Sequence, residues 1–352
     1  MFANSVLLFI LTHILLLPYS NPQVYLIPVQ KIDFRQKAVS TATAVIISKA
    51  PATKTLEAAT RPGTKLDSPP DFEAINTFAR MATVNILCTT KGQGLSPISG
   101  TGVIISPHGV ILTNAHIGQY FLLRDFRQKD FIECVIRMGS PAYPKYQAEL
   151  VYISPTWVKN NKTILKDQDP KGTGEDDFAF LRITGYIDKS NLPESFAYIS
   201  PNIGEIINKG DQIVLVSYPA GFLGGISVLQ NLNLTSAIAS VQDLLTFKQN
   251  TVDLISVPGT VVSQKGASGG AVVDKQATLI GIITTSSEAE KTSARDLRAI
   301  TLAYINRDLQ SELGITLSQL LNADVADFAT TFQNTTAPIL TKLITDELNK
   351  NQ

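Results

Sequence analysis

From Ala82 to about Ile305 the chain is a succession of short apolar or alternating runs, each closed by Gly, Pro, Asn or Asp. No run in that stretch is long enough for the 3.6-residue period of a packed helix to dominate. Such a chain folds by pairing strands, and strands this short with turn residues between them indicate a sandwich or a barrel. The first set of predicted strands is Thr83–Thr89, Gly100–Ile105, Gly109–Thr113, Phe131–Met138, Gln147–Ile153 and Phe178–Ile183. The second is Gln212–Ser217, Ser227–Gln230, Thr235–Val241, Thr251–Val257, Gly270–Val273, Leu279–Thr285 and Ala299–Ile305. Between the sets, Thr184–Gly210 is loop-like, punctuated by Gly185, Pro193, Pro201, Gly204 and Gly210. The fold class expected is all-β, in two units of similar size.

The flanks differ from this body. The first 30 residues carry no charged side chain, and Val6–Leu17 is apolar except for Thr12 and His13. That run is shorter than the roughly 20 residues that span a bilayer. It suits the core of a signal peptide or an anchor, although no Lys or Arg precedes it. The alternative is a buried N-terminal helix. Residues 31–70 read as a linker, which from position 38 is rich in Ala, Thr, Ser, Pro and Lys. A folded domain is expected from Asp71, where Asp71–Ile75 can open a short helix. Division at about residue 190 separates the two β-units, 71–190 and 191–305. Residues 306–352 form a helical tail, with helices over Asn306–Leu313, Leu317–Leu321 and Val325–Asn349 and with Pro338 interrupting the last. The tail can dock on the body or drive homo-oligomerisation.

Lys plus Arg and Asp plus Glu are each 30, so the formal charge is zero. That removes the broad positive field of a general nucleic-acid binder. Two cysteines and three histidines exclude a Cys-rich zinc site. His13 lies in the leader, leaving His108 and His116 for any imidazole chemistry in the body.

Three segments carry chemistry. Residues 100–116, GTGVIISPHGVILTNAH, read as strand, turn and strand, with His116 at the end. Asp176-Asp177-Phe178-Ala179-Phe180-Leu181 is an acid entering an apolar strand. Gly266-Ala267-Ser268-Gly269-Gly270 sets a serine in a glycine-rich turn. A serine hydroxyl needs a neutral imidazole to accept its proton as it attacks. The imidazole in turn needs a carboxylate to fix its tautomer. Glycines around Ser268 allow a turn that aims the N–H groups of Gly266 and Ser268 at a developing oxyanion. His108 sits in a Ser-Pro-His-Gly turn and reads as a surface residue.

In their order and spacing these blocks resemble the trypsin-like, chymotrypsin-fold serine peptidases, and most closely the HtrA-like bacterial branch. Residues 100–116, 177–183 and 266–270 follow that branch's three motifs, the last with Ala267 in place of the usual Asn. The resemblance spans roughly residues 75–305. It implies two six-stranded antiparallel β-barrels with the site in the crevice between them. It implies His116 as general base, Asp177 as orienting acid and Ser268 as nucleophile, with Gly266 and Ser268 forming the oxyanion hole. Thr284, Thr285 and Ser286, with the segment Ala299–Ala303, would line the primary substrate pocket. No acid stands at the base of that pocket, so small or apolar side chains are expected there.

The implied function is a serine endopeptidase acting on proteins or peptides through an acyl-enzyme, with no metal and no organic cofactor. The alternative is a catalytically inactive binding module on the same scaffold. Ala267 leaves no carboxylate to pair with a new N-terminus, so activation by cleavage is not expected. The tail is too short for the PDZ domain that usually follows in the branch. Cys88 and Cys134 fall on the predicted first and fourth strands of the first barrel, which are neighbours in this fold. They can form a disulfide, which needs an oxidising compartment, or remain two buried thiols. An extracytoplasmic location follows, either secreted, periplasmic or tethered to a membrane by the N-terminus.

Overall fold

A computed structural model describes residues 71–167, 172–204, 207–221, 225–247, 250–286 and 296–350. The predicted leader and linker lie outside the described residues. The domain opens with helix α1 (Phe72–Ala82), capped by Asp71, whose carboxylate accepts from the N–H groups of Glu73 and Ala74.

Six strands then form a closed antiparallel barrel: β1 (Thr83–Thr90), β2 (Ile98–Ile104), β3 (Val110–Thr113), β4 (Ile132–Met138), β5 (Tyr143–Ile153) and β6 (Ala179–Tyr186). Their order around the barrel is β1-β2-β3-β6-β5-β4. Val84, Ile86, Val103, Ile111, Leu112, Ile136 and Phe180 are fully buried in its core. Helix α2 (Ala115–Leu122) follows β3 directly, and helix α3 (Pro155–Asn161) follows β5. The long connection from β5 to β6 thus begins as helix and continues as a 3-10 turn at Ile164–Lys166.

The second unit contains β7 (Gln212–Ser217), β8 (Thr235–Ser240), β9 (Asp243–Leu245), β10 (Leu254–Pro258), β11 (Ala271–Val273), β12 (Leu279–Ser286) and β13 (Asp296–Thr301). Here the structure departs from a closed six-stranded barrel. The strands form a seven-stranded sheet in the order β8-β7-β11-β12-β13-β10-β9. Its two edge strands are consecutive in the chain, separated only by Val241 and Gln242. The bent stretch pairs with β7 through β8 and with β10 through β9, and Gln242 N–H donates to the Ser256 carbonyl. The sheet curls round on a covalent corner rather than a continuous ladder.

Two further expectations are corrected. Ser227–Gln230, expected as a strand, belongs to helix α4 (Gly225–Gln230). A four-residue apolar run has no readable period. The short helix is held by the buried Arg137, whose guanidinium donates to the Val228 and Leu229 carbonyls at its end. The expected strand Ala299–Ile305 stops at Thr301, whose hydroxyl accepts from Tyr304 N–H and starts helix α5 (Leu302–Leu313).

The tail continues through α6 (Leu317–Asn322), α7 (Val325–Thr335) and α8 (Ala337–Asn349). Pro338 starts α8 rather than interrupting a helix, because its missing N–H costs nothing in a first turn. The tail packs on the first barrel. Phe332 meets Tyr152 edge-on at 5.5 Å, Gln333 donates to the Leu150 carbonyl, and Glu312 takes the Tyr152 hydroxyl. Thr341 donates to the Leu122 carbonyl at the end of α2. This explains why the last four residues of β5 are buried on both faces. Among the described residues, no helix is long and apolar enough to cross a membrane.

Cys88 and Cys134 stand directly opposite each other on β1 and β4, with Cα atoms 4.0 Å apart, and are joined by a disulfide. It closes a loop of 46 residues. A bridge of that span constrains the unfolded chain and contributes about 2–4 kcal/mol. The double variant Cys88→Ala/Cys134→Ala should therefore unfold at lower urea concentration, with an m-value no smaller than that of wild type because its unfolded chain is freer to expand. An unaltered midpoint would refute a stabilising role.

Candidate active site

Asp177, 5% exposed, is the centre of a converging set of donors. Helix α2 begins one residue before His116, so the His116 N–H has no partner within the helix. It donates to Asp177 Oδ1 at 3.0 Å, while His116 Nδ1 lies 2.8 Å from Asp177 Oδ2. Asn114, the residue before the helix, donates its amide to the Asp177 main-chain carbonyl at 2.8 Å. Thr284 Oγ1 donates to Asp177 Oδ2 at 2.9 Å. A buried carboxylate with three donors is held in one orientation. With Nδ1 turned to the acid, the proton belongs there, and Nε2 keeps its lone pair for the crevice.

Thr284 thus sits elsewhere than expected. Its side chain does not line a pocket. It is 4% exposed and committed to the back of the carboxylate. Thr285 and Ser286 continue β12 and pair with Arg298 and Leu297 of β13. Of the segment Ala299–Ala303, residues 299–301 end β13 and Leu302 and Ala303 open α5.

The turn around Ser268 is held from both units. Thr101 of β2 donates its N–H to the Ser268 carbonyl at 2.8 Å and its hydroxyl to the Gly266 carbonyl at 2.8 Å. The same hydroxyl accepts from Tyr218 N–H at 3.0 Å. On the other side, Gly269 N–H donates to the Ile283 carbonyl and Ile283 N–H to the Gly270 carbonyl. Ala267, where a carboxylate would pair with a new N-terminus, is 1% exposed and packs in the second apolar core.

This leaves two N–H groups, those of Gly266 and Ser268. Among the described residues neither donates a hydrogen bond. Their directions are fixed by their own peptide planes, in which N–H and C=O point opposite ways. The Lys265 carbonyl accepts from Ala220 N–H at 2.7 Å, so the Gly266 N–H points away from Ala220. The Ala267 carbonyl accepts from Gly270 N–H at 2.9 Å, which turns the Ser268 N–H outward. Only glycine fits at 266. Its φ is +93°, and a Cβ there would stand 2.8 Å from the Tyr218 carbonyl.

The structure brings His116 and Asp177 together and seats Ser268 by its main chain against β2. Among the described residues no hydrogen bond joins the Ser268 hydroxyl to the imidazole. His108 lies in the turn between β2 and β3, where its N–H meets the Ser106 hydroxyl. The sequence assigns no role to Thr101 or Asn114, and it places Thr284 on a pocket wall rather than against Asp177. Thr101 and Thr284 lie within strands and Asn114 just past one, and alternation of apolar residues carries no sign of a buried polar group's partner.

A closed barrel, a curled second sheet, an imidazole–carboxylate pair and a glycine-bounded serine define the chymotrypsin-like fold. The family model described as trypsin-like peptidase domain matches residues 100–282, just over half of the chain. The chain belongs to that family. Among solved structures it is similar to the serine endoprotease from Yersinia pestis, with 20% identity and a TM-score of 0.44 over 70% of this chain and 68% of that one. No curated protein matches.

Proposed function

We propose that the chain is a serine endopeptidase working through His116, Asp177 and Ser268. The observation that carries the reading is the His116–Asp177 pair, bonded by Thr284 and so joined through β12 to a turn whose two N–H groups are unspent. In this mechanism Ser268 Oγ attacks the scissile carbonyl while His116 Nε2 takes its proton. The C=O electron pair moves to oxygen, where the Gly266 and Ser268 N–H groups stabilise it by about 3 kcal/mol per donor. The imidazolium, held by Asp177, gives its proton to the leaving amine as the C–N bond breaks. Water then repeats the sequence on the acyl-enzyme.

A binding module on the same scaffold is the second reading, favoured by the missing Ser268–His116 hydrogen bond. That bond is often long in free enzymes and tightens with substrate. Labelling by a fluorophosphonate probe separates the two. Wild type should label, and Ser268→Ala should not. Absence of labelling in folded wild type sinks the peptidase reading.

Val262, Ile283, Leu297 and Ala299 form one apolar cluster with Ala267 beside the turn. A preference for small or apolar side chains before the scissile bond rests instead on the lack of Asp or Glu in Thr284–Ser286 and Ala299–Ala303, and a peptide-library cleavage profile tests it. The Cys88–Cys134 bridge supports an oxidising, extracytoplasmic setting, with residues 1–70 as leader and tether.

A further inference from the structure

Two aspartates are consecutive in the chain where His116 finds its carboxylate, and a residue outside all three sequence blocks treats them differently. We infer that Tyr304 is a positioning residue that claims Asp176, so that Asp177 alone holds His116. The inference rests on the reading of His116 and Asp177 as working base and acid.

Asp176 and Asp177 are both nearly buried, at 9% and 5% exposure. Side by side, two anionic carboxylates repel each other and compete for the same donors. The Tyr304 hydroxyl donates to Asp176 Oδ1, and its oxygen accepts from the Asp176 N–H at 3.1 Å. One phenol oxygen thus grips both the side chain and the main chain of Asp176. That grip matters because Asp176 has φ +57°, in the left-handed region that a non-glycine residue adopts only when held. Asp177 N–H meets the Gly174 carbonyl and Phe178 N–H the Asp176 carbonyl, completing a tight turn that delivers the next carboxylate to His116. With Asp176 in extended conformation the chain would leave along another path, and Asp177 would lose its register with His116.

Tyr304 is itself rigid. Its N–H bonds to the Thr301 hydroxyl at the start of α5, and its ring packs edge-on against Phe247 at 5.0 Å. Burial first, and then the Asp176 carboxylate, push the phenol well above its ordinary pKa. It therefore stays a donor throughout the working pH range.

The test uses the full-length chain labelled with 15N-histidine, in which only three histidines contribute signals. In wild type the His116 Nδ1 proton is held by Asp177 and gives a protected resonance. In Tyr304→Phe that resonance should broaden into exchange with water. In the same variant, kcat on a peptide substrate should fall about 10–100-fold with KM within about twofold, the signature of a misplaced catalytic pair rather than lost binding. Tyr304→Phe/Asp176→Asn should regain the resonance and most of the kcat. Asparagine tolerates the left-handed turn and brings no second charge.

A folded Tyr304→Phe with wild-type resonance and kcat overturns the inference. So does a double variant as impaired as the single one. If Tyr304→Phe alone does not fold, the double variant decides. A wild type with the protected resonance but no turnover or labelling overturns the peptidase reading, and the resonance comparison still judges Tyr304.

Discussion

Alanine at position 116 is expected to abolish acyl-enzyme formation while leaving the protein folded. Loss of kcat should be at least about 10⁴-fold, and fluorophosphonate labelling of Ser268 should disappear with it. The size follows from the chemistry. Without a base the serine must attack as a neutral alcohol, and among the described residues the one other histidine lies in a turn of the first barrel. Of the three histidines, His13 lies in the apolar N-terminal run and His108 in the turn between β2 and β3. The structural cost should be small. His116 is half-exposed at the start of α2, and its ring bonds only to Asp177 among the described residues. The Asp177 carboxylate would keep the position-116 main-chain N–H and the Thr284 hydroxyl. Circular dichroism and urea unfolding should therefore match wild type closely. Persistent Ser268-dependent labelling in His116→Ala would show that another group activates the serine, and the proposed mechanism would fail.

Asp177→Asn isolates the carboxylate from the imidazole. An asparagine side chain can still accept from the His116 main chain but turns either an amide N–H or a neutral oxygen to Nδ1. The tautomer then becomes the wrong one, or its imidazolium loses its counter-charge. The defect should be comparable at neutral pH and should not resemble a loss of substrate affinity.

What the sequence reveals about this fold and site follows from range. Strand pairing is legible because the apolar runs are local and bounded by residues with strong turn preferences, so twelve of the thirteen predicted runs meet an observed strand. Ser227–Gln230 is not legible, because its helix depends on Arg137, some ninety residues earlier in the chain. The open corner between β8 and β9 depends on which carbonyl Gln242 can reach. The three chemical blocks are legible because each is contiguous. Thr101, Thr284 and Tyr304 act on those blocks from elsewhere, and a lone hydroxyl in a strand or helix looks the same whatever it bonds to. Thr101 shows this best, since it lies inside the first block yet spends both its N–H and its hydroxyl on the third.

Gly269→Ala should be the most disruptive single methyl that can be added near the site. At Gly269 a Cβ would stand 1.9 Å from the Thr101 carbonyl oxygen and 2.6 Å from Thr113 Oγ1. Neither can retreat. The Thr101 carbonyl belongs to β2 in the closed barrel and already accepts from Thr113 at 2.7 Å, while the Thr101 N–H holds the Ser268 carbonyl. To make room, the turn around Ser268 must lift from β2, which breaks the main-chain bond that seats Ser268 on the barrel. Gly269 also has φ +82°, a left-handed conformation that alone costs an alanine about 1–2 kcal/mol. Gly210 supplies the control, with φ +88° and nothing within 4 Å of its would-be Cβ. Gly210→Ala should show the conformational cost alone, and Gly269→Ala should exceed it by at least about 2 kcal/mol in urea unfolding. Labelling of Ser268 should survive the first substitution and be lost in the second, even under conditions where the variant stays folded. Equal destabilisation by the two, with labelling intact, would mean that the turn is not clamped between the two sheets and that its geometry is set within the second sheet alone.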